Sequence, residues 1–450
     1  MTTGPGSEPQ LERSIGLAGS IALVVGGVIG AGIFVQVKPI AAQSGNAIWL
    51  AFVLAILVSM IGVIPLIQLA GALPRAGAGY LFSSRLLSPF LGIITSYWLI
   101  LGGGASTSVV ALTLARYLPV GLPDHAVAIL ILLLFYIVYQ AGMRLAISLQ
   151  VLMAIQFVVA LVVYGLVGAF TVELSAGCRP PLGPGPFIEA ILLCYSTCMG
   201  FQVIGEMGEE IRNARRTIPL ALLIGGAIVA SIYILVGLVF VNTQSLHQPS
   251  EFAAFTQPLT QSATPFLGVG WIRFLAIGAI TAGLTSLNAA AIALPRELFA
   301  QARDGFLPAL LGQISPRTHT PQHAVTVYFV FVILLLLAGG GIEFYGLMAA
   351  IGVSTITTAL CIASIRLPHI YPERYAYAYI RFPKALLWLC TVLTLLVSLV
   401  FIVALVSQRP GVLLVYVLWT LLVIALYYRA TWKWQAPDWA RLRAIPGQDE

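Results

Sequence analysis

Residues Gly26 to Phe34 read GGVIGAGIF and lie inside an apolar run from Ile15 to Val37. Each glycine inside a helix costs roughly 1 kcal/mol relative to alanine, and a bilayer provides no water for backbone groups that a helix break would free. A break here has to line a cavity, where its free N–H and C=O groups can bind the ends of a substrate. The alternative is close helix packing, because Gly26 and Gly30 have the small-xxx-small spacing.

A second group of weak helix formers lies in the middle of a later apolar segment, at Ser196–Gly200. This composition predicts a second interrupted helix. Two interrupted helices that meet at the same depth can offer backbone donors and acceptors to opposite ends of one small molecule.

The composition excludes a soluble protein. Of the 450 residues, 59% are hydrophobic and only 9% are charged, and the mean hydropathy is +0.97. A membrane-spanning helix needs about 20 apolar residues, and such runs recur along the chain between short polar segments. We therefore predict an all-α polytopic membrane protein with twelve transmembrane helices, at about residues 15–40, 46–70, 89–115, 124–140, 148–170, 186–205, 217–241, 270–298, 323–339, 344–365, 384–407 and 411–429.

The net charge of +7 is a topology signal and does not indicate nucleic-acid binding. With the N-terminus inside, 18 of the 23 Lys and Arg residues fall on one side of the membrane and 5 on the other. The positive-inside rule assigns the richer side to the cytoplasm. We therefore predict a multi-pass protein of the plasma (inner) membrane with both termini in the cytoplasm, where the chain has a disordered tail at 1–14 and a second tail at 430–450.

No cluster of side chains predicts catalysis or metal binding. The five cysteines, at 178, 194, 198, 361 and 390, have no metal-binding or redox spacing, and the five histidines lie in loops or at segment ends. Titratable groups converge nowhere, so the sequence predicts no enzyme, no metal and no cofactor.

Several motifs occur in an order that resembles the amino acid–polyamine–organocation (APC) permeases of the bacterial amino acid type. They are GxGIF at Gly30–Phe34, ALPRAGAGY at Ala72–Tyr80, EEIRNARRTIP at Glu209–Pro219 and the ARDG stretch at Leu294–Pro308. The resemblance covers nearly the whole chain. It implies a LeuT-like fold, with two inverted five-helix repeats at 15–170 and 186–365, discontinuous helices 1 and 6, and two extra helices at 384–429. The placement of the two breaks, each in the first helix of a set of five, agrees with that arrangement.

The resemblance implies an amino acid binding site at the two breaks. Its candidate residues are Ile29, Gly30, Ala31 and Gly32 at the first break, and Ser196, Thr197, Cys198, Met199, Gly200 and Phe201 at the second. Half-helix N-termini near Gly30 and Gly32 would hold the substrate carboxylate, and carbonyl groups at both breaks would hold the ammonium group. We expect a neutral substrate side chain, because no charged residue lies mid-membrane in segments one, three, six, eight or ten.

The resemblance also supplies candidates for ion coupling and gating. Gln156 matches the position of an intramembrane lysine that replaces a bound sodium ion in many family members, and an amide cannot titrate. Thr285 and Ser286 match sodium ligands of sodium-coupled relatives, although hydroxyls on membrane helices more commonly bond to their own backbone. The gate candidates are Tyr195, Phe201, Glu206 and Glu209, of which the two acidic residues also suit a solvated cytoplasmic elbow.

The resulting hypothesis is a secondary active transporter of amino acids that works by alternating access in the lipid bilayer, with a proton or sodium as a possible coupling ion. An alternative is a cationic amino acid or polyamine carrier, in which Glu189 and Glu343 attract cations at the outer mouth. An alternative of another class is a transceptor or accessory subunit that binds substrate without flux.

Overall fold

The computed structural model describes residues 11–118, 121–177, 183–247, 251, 253–408 and 410–433. Within these ranges the chain forms helices and no β-strand, and it has two isolated bridges, Ile15 with Ile211 and Ala76 with Met207. Of the two predicted tails, only residues 11–14 and 430–433 fall inside the described ranges.

The first half of the chain forms helices α1 (Leu17–Val28), α2 (Ala31–Ser44), α3 (Ile48–Ala72), α4 (Ala78–Leu86), α5 (Pro89–Tyr117), α6 (Asp124–Gln140) and α7 (Met143–Thr171). The second half forms α8 (Pro184–Thr197), α9 (Ala214–Asn242), α10 (Pro258–Ser262), α11 (Val269–Ala293), α12 (Pro295–Arg303), α13 (Gln322–Leu337), α14 (Ile342–Ile370), α15 (Pro372–Tyr377), α16 (Lys384–Gln408) and α17 (Pro410–Lys433). Four 3₁₀ helices, at Gly45–Ala47, Phe201–Glu206, Thr243–Leu246 and Ala309–Gly312, connect some of them.

A helix lies on each of the twelve predicted apolar segments. Among the described residues, eight helical stretches are long and apolar enough to cross a membrane, and α1, α6, α13 and part of α16 are shorter apolar helices. The first two predicted segments share one such stretch, Ala31–Ala72, because the 3₁₀ turn at Gly45–Ala47 joins α2 to α3. The protein is therefore a polytopic membrane protein.

The outward faces of several helices are apolar. Leu134 and Ile137 on α6 are 59% and 64% exposed, and Leu152 on α7 is 66% exposed. Water disfavours surfaces of this kind, whereas hydrocarbon chains solvate them. These faces are the lipid-facing surface of the bundle.

Glycines on α5 allow its closest helix contact. A Cβ atom at Gly102 would lie 2.7 Å from the Cα of Gly352 on α14, so the two backbones touch. The next two positions, Gly103 and Gly104, pack against the side chains of Leu294 and Phe331. Small residues serve this purpose in membrane helices, where close backbone approach provides packing energy.

Two helices are interrupted where the sequence has its weak helix formers. The first helical segment stops at Val28 and resumes at Ala31, and between them Gly30 is extended, with φ −98° and ψ −168°. The second stops at Thr197 and continues, after Gly200, only as the 3₁₀ helix Phe201–Glu206. The carbonyls that end each helix and the amides that begin the next have no partners within their own helix.

Candidate functional site

The two interruptions lie against each other. Gly200 has φ +127°, a backbone conformation that residues with a side chain rarely adopt. A Cβ atom there would overlap the carbonyl oxygen of Gly27 and lie 3.2 Å from the Val28 amide nitrogen. The second break therefore packs directly on the last turn of α1.

The side chain of Tyr233 joins the two breaks. It projects from α9, is fully buried, and places its hydroxyl 2.9 Å from the Thr197 carbonyl oxygen and 3.3 Å from that of Val28. These carbonyls belong to the last residues of α8 and α1, which lack helical partners. One hydroxyl that can donate to either carbonyl fixes the ends of both helices relative to each other.

The start of α2 faces the other half of the site. No side chain caps this helix, so the N–H groups of its first turn, from Ala31 and Gly32 onward, are free of intrahelical bonds. A Cβ atom at Gly32 would lie 3.3 Å from the Thr197 side chain. Ile29, between the two half-helices, is fully buried in the core.

Serine and threonine from α11 approach the first break. The Ser286 hydroxyl donates to the Gly26 carbonyl oxygen at 3.1 Å and lies within 3.3 Å of the Ala282 carbonyl oxygen. The buried Thr285 hydroxyl donates to the Ala282 carbonyl oxygen at 2.8 Å. Both hydroxyls thus bond to backbone carbonyls, and that of Ser286 also reaches the break.

A buried amide network lies beside this point. Gln150 on α7 donates to the Ala22 carbonyl oxygen at 3.3 Å and accepts from Asn288 on α11 at 2.8 Å. The Tyr139 hydroxyl lies 2.8 Å from the Asn288 carbonyl oxygen. A Cβ atom at Gly26 would overlap the Gln150 amide and come within 2.9 Å of the Thr285 side chain. The network ties α1, α6, α7 and α11 together at the first break.

Gln156 occupies a different position from Gln150. It donates to the Phe274 carbonyl oxygen at 2.9 Å and accepts from the Thr281 hydroxyl. Six residues along a helix correspond to about 9 Å. The structure therefore brings Gln150, and not Gln156, into contact with the first break.

A narrow cavity adjoins the second break. Tyr195, Cys198, Met199 and Phe201 line it, together with residues of α3, α14 and α16 that include Ser354 and Thr357. Its volume is about 20 Å³, which accommodates about one water molecule. A larger occupant requires the surrounding helices to move apart.

Ser196 points away from this cavity. Its hydroxyl donates to the Leu193 carbonyl oxygen at 2.7 Å and to the Gln36 side chain at 3.0 Å, and the residue is exposed. The side chains of Thr197 and Ser196 therefore lie on different faces of α8, although their backbone groups both belong to the last turn.

The acidic gate candidates lie on the side of the bundle that carries Arg75, Arg85, Arg296 and Arg303, here called the basic side. Glu209 pairs with Arg303 at 2.8 Å in a partly exposed ion pair. Glu210 pairs with Arg296 at 2.9 Å, and both side chains are buried. The Glu206 carboxylate accepts from the Gly79 amide at 3.1 Å and is buried as well.

Three contributors were not identified as site residues by sequence reasoning: Gln150, Asn288 and Tyr233. The spacing of Thr285 and Asn288, three residues apart on one helix face, was a usable signal for the amide network. Tyr233 gave no signal, because a tyrosine in an apolar segment is also typical of the membrane interface.

A family model described as amino acid permease matches residues 15–427, a range that includes both interrupted helices. The chain belongs to the amino acid permease family. Its homologues include APC-superfamily permeases, which confirms the predicted family.

Individual relatives cover most of the permease. An uncharacterized transporter of Mycobacterium tuberculosis is 29% identical over 324 residues, which cover 71% of this chain and 72% of the relative. The human cationic amino acid transporter 4 is 27% identical over 394 residues, 79% of this chain and 60% of that protein. A branched-chain amino acid permease of Bacillus subtilis is 23% identical over 359 residues, 73% of this chain and 75% of the relative. Relatives of this kind support a transporter role.

Proposed function

We propose that this permease is a secondary active transporter that moves amino acids across the cell membrane by alternating access. The observation that carries the proposal is the contact between the two interrupted helices at Gly27 and Gly200. Interrupted backbone at membrane depth is tolerated where it lines a cavity, and such pairs bind substrates in secondary transporters.

The proposal includes twelve spans, a LeuT-like 5+5 inverted repeat and cytoplasmic termini. Three observations support it. A helix lies on each predicted segment, and the interruptions fall in the first helix of each set of five. On the basic side, Arg303 of the ARDG stretch pairs with Glu209, which follows the second break. The basic side is then cytoplasmic.

In this arrangement the first turn of α2, from Ala31 and Gly32 onward, binds the substrate carboxylate with its free N–H groups and its dipole. Backbone carbonyls at Ile29 and Gly30, and from Ser196 to Met199, take the ammonium group. Gly200 and Phe201 shape the opposite wall.

A neutral substrate side chain is favoured, because the described residues that line the cavity are uncharged. The branched-chain name of the Bacillus relative agrees with this assignment. The second candidate is a cationic substrate, which the name of the human relative favours. In that case Glu189, an exposed carboxylate bonded to Gln43, and Glu343 would attract the cation.

The same contacts supply the proposed residues for ion coupling and gating. The Ser286 and Thr285 hydroxyls, with the carbonyls of Gly26 and Ala282, provide oxygen ligands of the type a sodium ion prefers. Gln150 and Gln156 are amides, so neither carries a titrating proton. Tyr195 and Phe201 are the proposed gate at the cavity, and the Glu209–Arg303 pair is the proposed gate on the basic side.

Uptake into proteoliposomes tests the function. The purified permease is expected to exchange or accumulate labelled neutral amino acids, and uptake with and without proton and sodium gradients identifies the coupling ion. If arginine or putrescine competes at concentrations similar to those at which neutral amino acids compete, the cationic substrate is favoured instead. Substrate binding without flux would favour the transceptor, and a complete lack of both binding and flux would overturn the proposal.

The Tyr233→Phe variant is expected to weaken substrate affinity while remaining folded, because the hydroxyl that holds the ends of α1 and α8 is lost. The loss of stability should be about 1 kcal/mol. Tyr164→Phe is the matched control, since its hydroxyl, 2.9 Å from that of Ser262, also forms a buried bond but lies outside both breaks. Equal affinities of the two variants would contradict the role assigned to Tyr233.

A further inference from the structure

Two buried carboxyl groups meet on the basic side, just beyond the second break. Glu206 ends the 3₁₀ helix Phe201–Glu206 and is 4% exposed, and Glu297 lies in the first turn of α12 and is fully buried. Gly79 lies against both carboxyl groups: its amide nitrogen is 3.1 Å from Glu206 Oε1, and a Cβ atom on it would lie 2.8 Å from Glu297 Oε1. Glu206 and Glu297 are 91 positions apart in the sequence.

One helix N-terminus holds both groups. The Gly79 amide donates to Glu206 Oε1 at 3.1 Å, and the Tyr80 amide donates to Glu297 Oε1 at 3.1 Å and Oε2 at 3.0 Å. These amides belong to the first turn of α4, where the helix dipole stabilises negative charge. The helix N-terminus is equivalent to about half a positive elementary charge, which is less than the charge of two carboxylates.

The arginines on this side of the bundle, as far as the structure describes them, interact with groups other than Glu206 and Glu297. These contacts are Arg296 with Glu210, Arg85 with Asp304, Arg303 with Glu209, Arg215 over the Tyr377 ring, and Arg75 in electrostatic contact with Glu209. Tyr80, whose amide bonds to Glu297, is a further titratable residue close by. Among the described residues, no N–H or O–H group donates to Glu206 Oε2, although this oxygen is buried.

Two carboxylates in contact cannot both be ionised without a large electrostatic penalty. A proton on one of them removes the repulsion and supplies the hydrogen bond between them. We propose that Glu206 and Glu297 together hold one proton while the basic side of the permease is closed, and that this proton leaves to that side when the segment after the second break moves.

Buried hydrogen bonds separate Glu297 from solvent in this structure. The Ser96 hydroxyl donates to Glu297 Oε2, and the Gln301 amide donates to the Ser96 hydroxyl at 2.8 Å. Gln301 also lines a cavity of about 420 Å³ beside Tyr97 and Arg429, and its own Oε1 accepts no bond in the described structure. Ser96, Glu297 and Gln301 are all fully buried, so water from this cavity reaches the pair only when the surrounding segments move.

The step is a simple dissociation. The O–H bond of the protonated carboxyl breaks, the proton passes to water, and the pair gains one negative charge. That charge favours separation of Glu206 from Glu297, so deprotonation and opening support each other. Because the closed state binds one more proton, low pH on the basic side favours closure and high pH favours opening.

Infrared spectroscopy of the full-length protein in lipid nanodiscs tests the proton directly. At neutral pH the wild type is expected to show the carbonyl stretch of a buried protonated carboxyl, and Glu297→Gln is expected to lose it. The amide of the variant can donate to the Glu206 carboxylate, which preserves the contact and the fold.

Glu206→Gln serves as the second variant, and Glu373→Gln, which removes an exposed carboxylate on α15, is the control that retains the band. Absence of a band difference between the wild type and both pair variants would overturn the proposal.

Transport provides the second readout, and this readout rests on the proposed function. In proteoliposomes that contain a pH-sensitive dye, net amino acid flux by the wild type is expected to carry protons, whereas Glu297→Gln should keep exchange and lose proton movement. Proton movement that persists in Glu297→Gln and Glu206→Gln would contradict the inference. If the wild type moves no amino acid at all, the proposed function fails, and the infrared result still decides the location of the proton.

Discussion

A Gly200→Ala variant is expected to lose substrate binding and transport while still inserting into the membrane. The new methyl group would overlap the Gly27 carbonyl oxygen, and φ +127° is strained for any residue with a side chain. Strain of this kind costs on the order of 1–3 kcal/mol, and relief requires the two half-helices to separate. Because that contact forms the proposed site, binding is affected more than folding.

The control for this variant comes from the same helix. Gly185, in the first turn of α8, is exposed, and a Cβ atom there would contact nothing within 4 Å. Gly185→Ala should therefore leave affinity unchanged. The measurements are equilibrium binding of the transported amino acid and size-exclusion chromatography. Wild-type affinity in Gly200→Ala would show that the contact between the breaks is not part of the binding site.

The Glu210→Gln variant is expected to lower thermal stability sharply. It leaves the Arg296 guanidinium, which is fully buried and bonded to both Glu210 oxygens and the Ile292 carbonyl, without a counter-charge. Removing one partner of a buried ion pair costs about 3–5 kcal/mol. The measurement is the unfolding temperature of the purified protein in detergent.

Glu209→Gln is the matched control on the neighbouring residue. Its partner Arg303 is 40% exposed, and exposed ion pairs contribute about 0–1 kcal/mol. A combined replacement of Arg296 and Glu210 by methionine should restore much of the stability lost in Glu210→Gln, because both charges are removed together. Equal unfolding temperatures for Glu209→Gln and Glu210→Gln would contradict the assignment.

The positions of both helix breaks were accessible from the sequence. Gly26–Gly32 and Ser196–Gly200 are local groups of residues that weaken a helix wherever it lies, so no tertiary information was needed to locate them. The same holds for Gly102–Gly104, a local run of small residues that permits the close contact with Gly352. Segment length and hydropathy likewise placed a helix on each apolar run.

The side chains that contact the two breaks could not be identified from the local sequence. Gln150 and Gln156 are chemically identical and lie on the same helix, so only the packing of α7 against α1 and α11 decides which one reaches the first break. The resemblance pointed to Gln156, and its coupling role stays a prediction. The Tyr233 bond to Thr197 and Val28 depends in the same way on the position of α9.

The sequence by itself determined that this chain is a polytopic helical membrane protein with two weak points in its helices, because these properties depend on composition within one turn or one span. The permease family was predicted from the resemblance of its motifs to those of known members. Only the tertiary structure decided that Gly27 touches Gly200, that Tyr233 joins both breaks, and that Glu206 meets Glu297. Each of these contacts joins residues that are far apart in the chain. Hydropathy and helix propensity depend on neighbouring residues, whereas buried polar contacts depend on which helices pack together, and the bundle fixes that only when it is assembled.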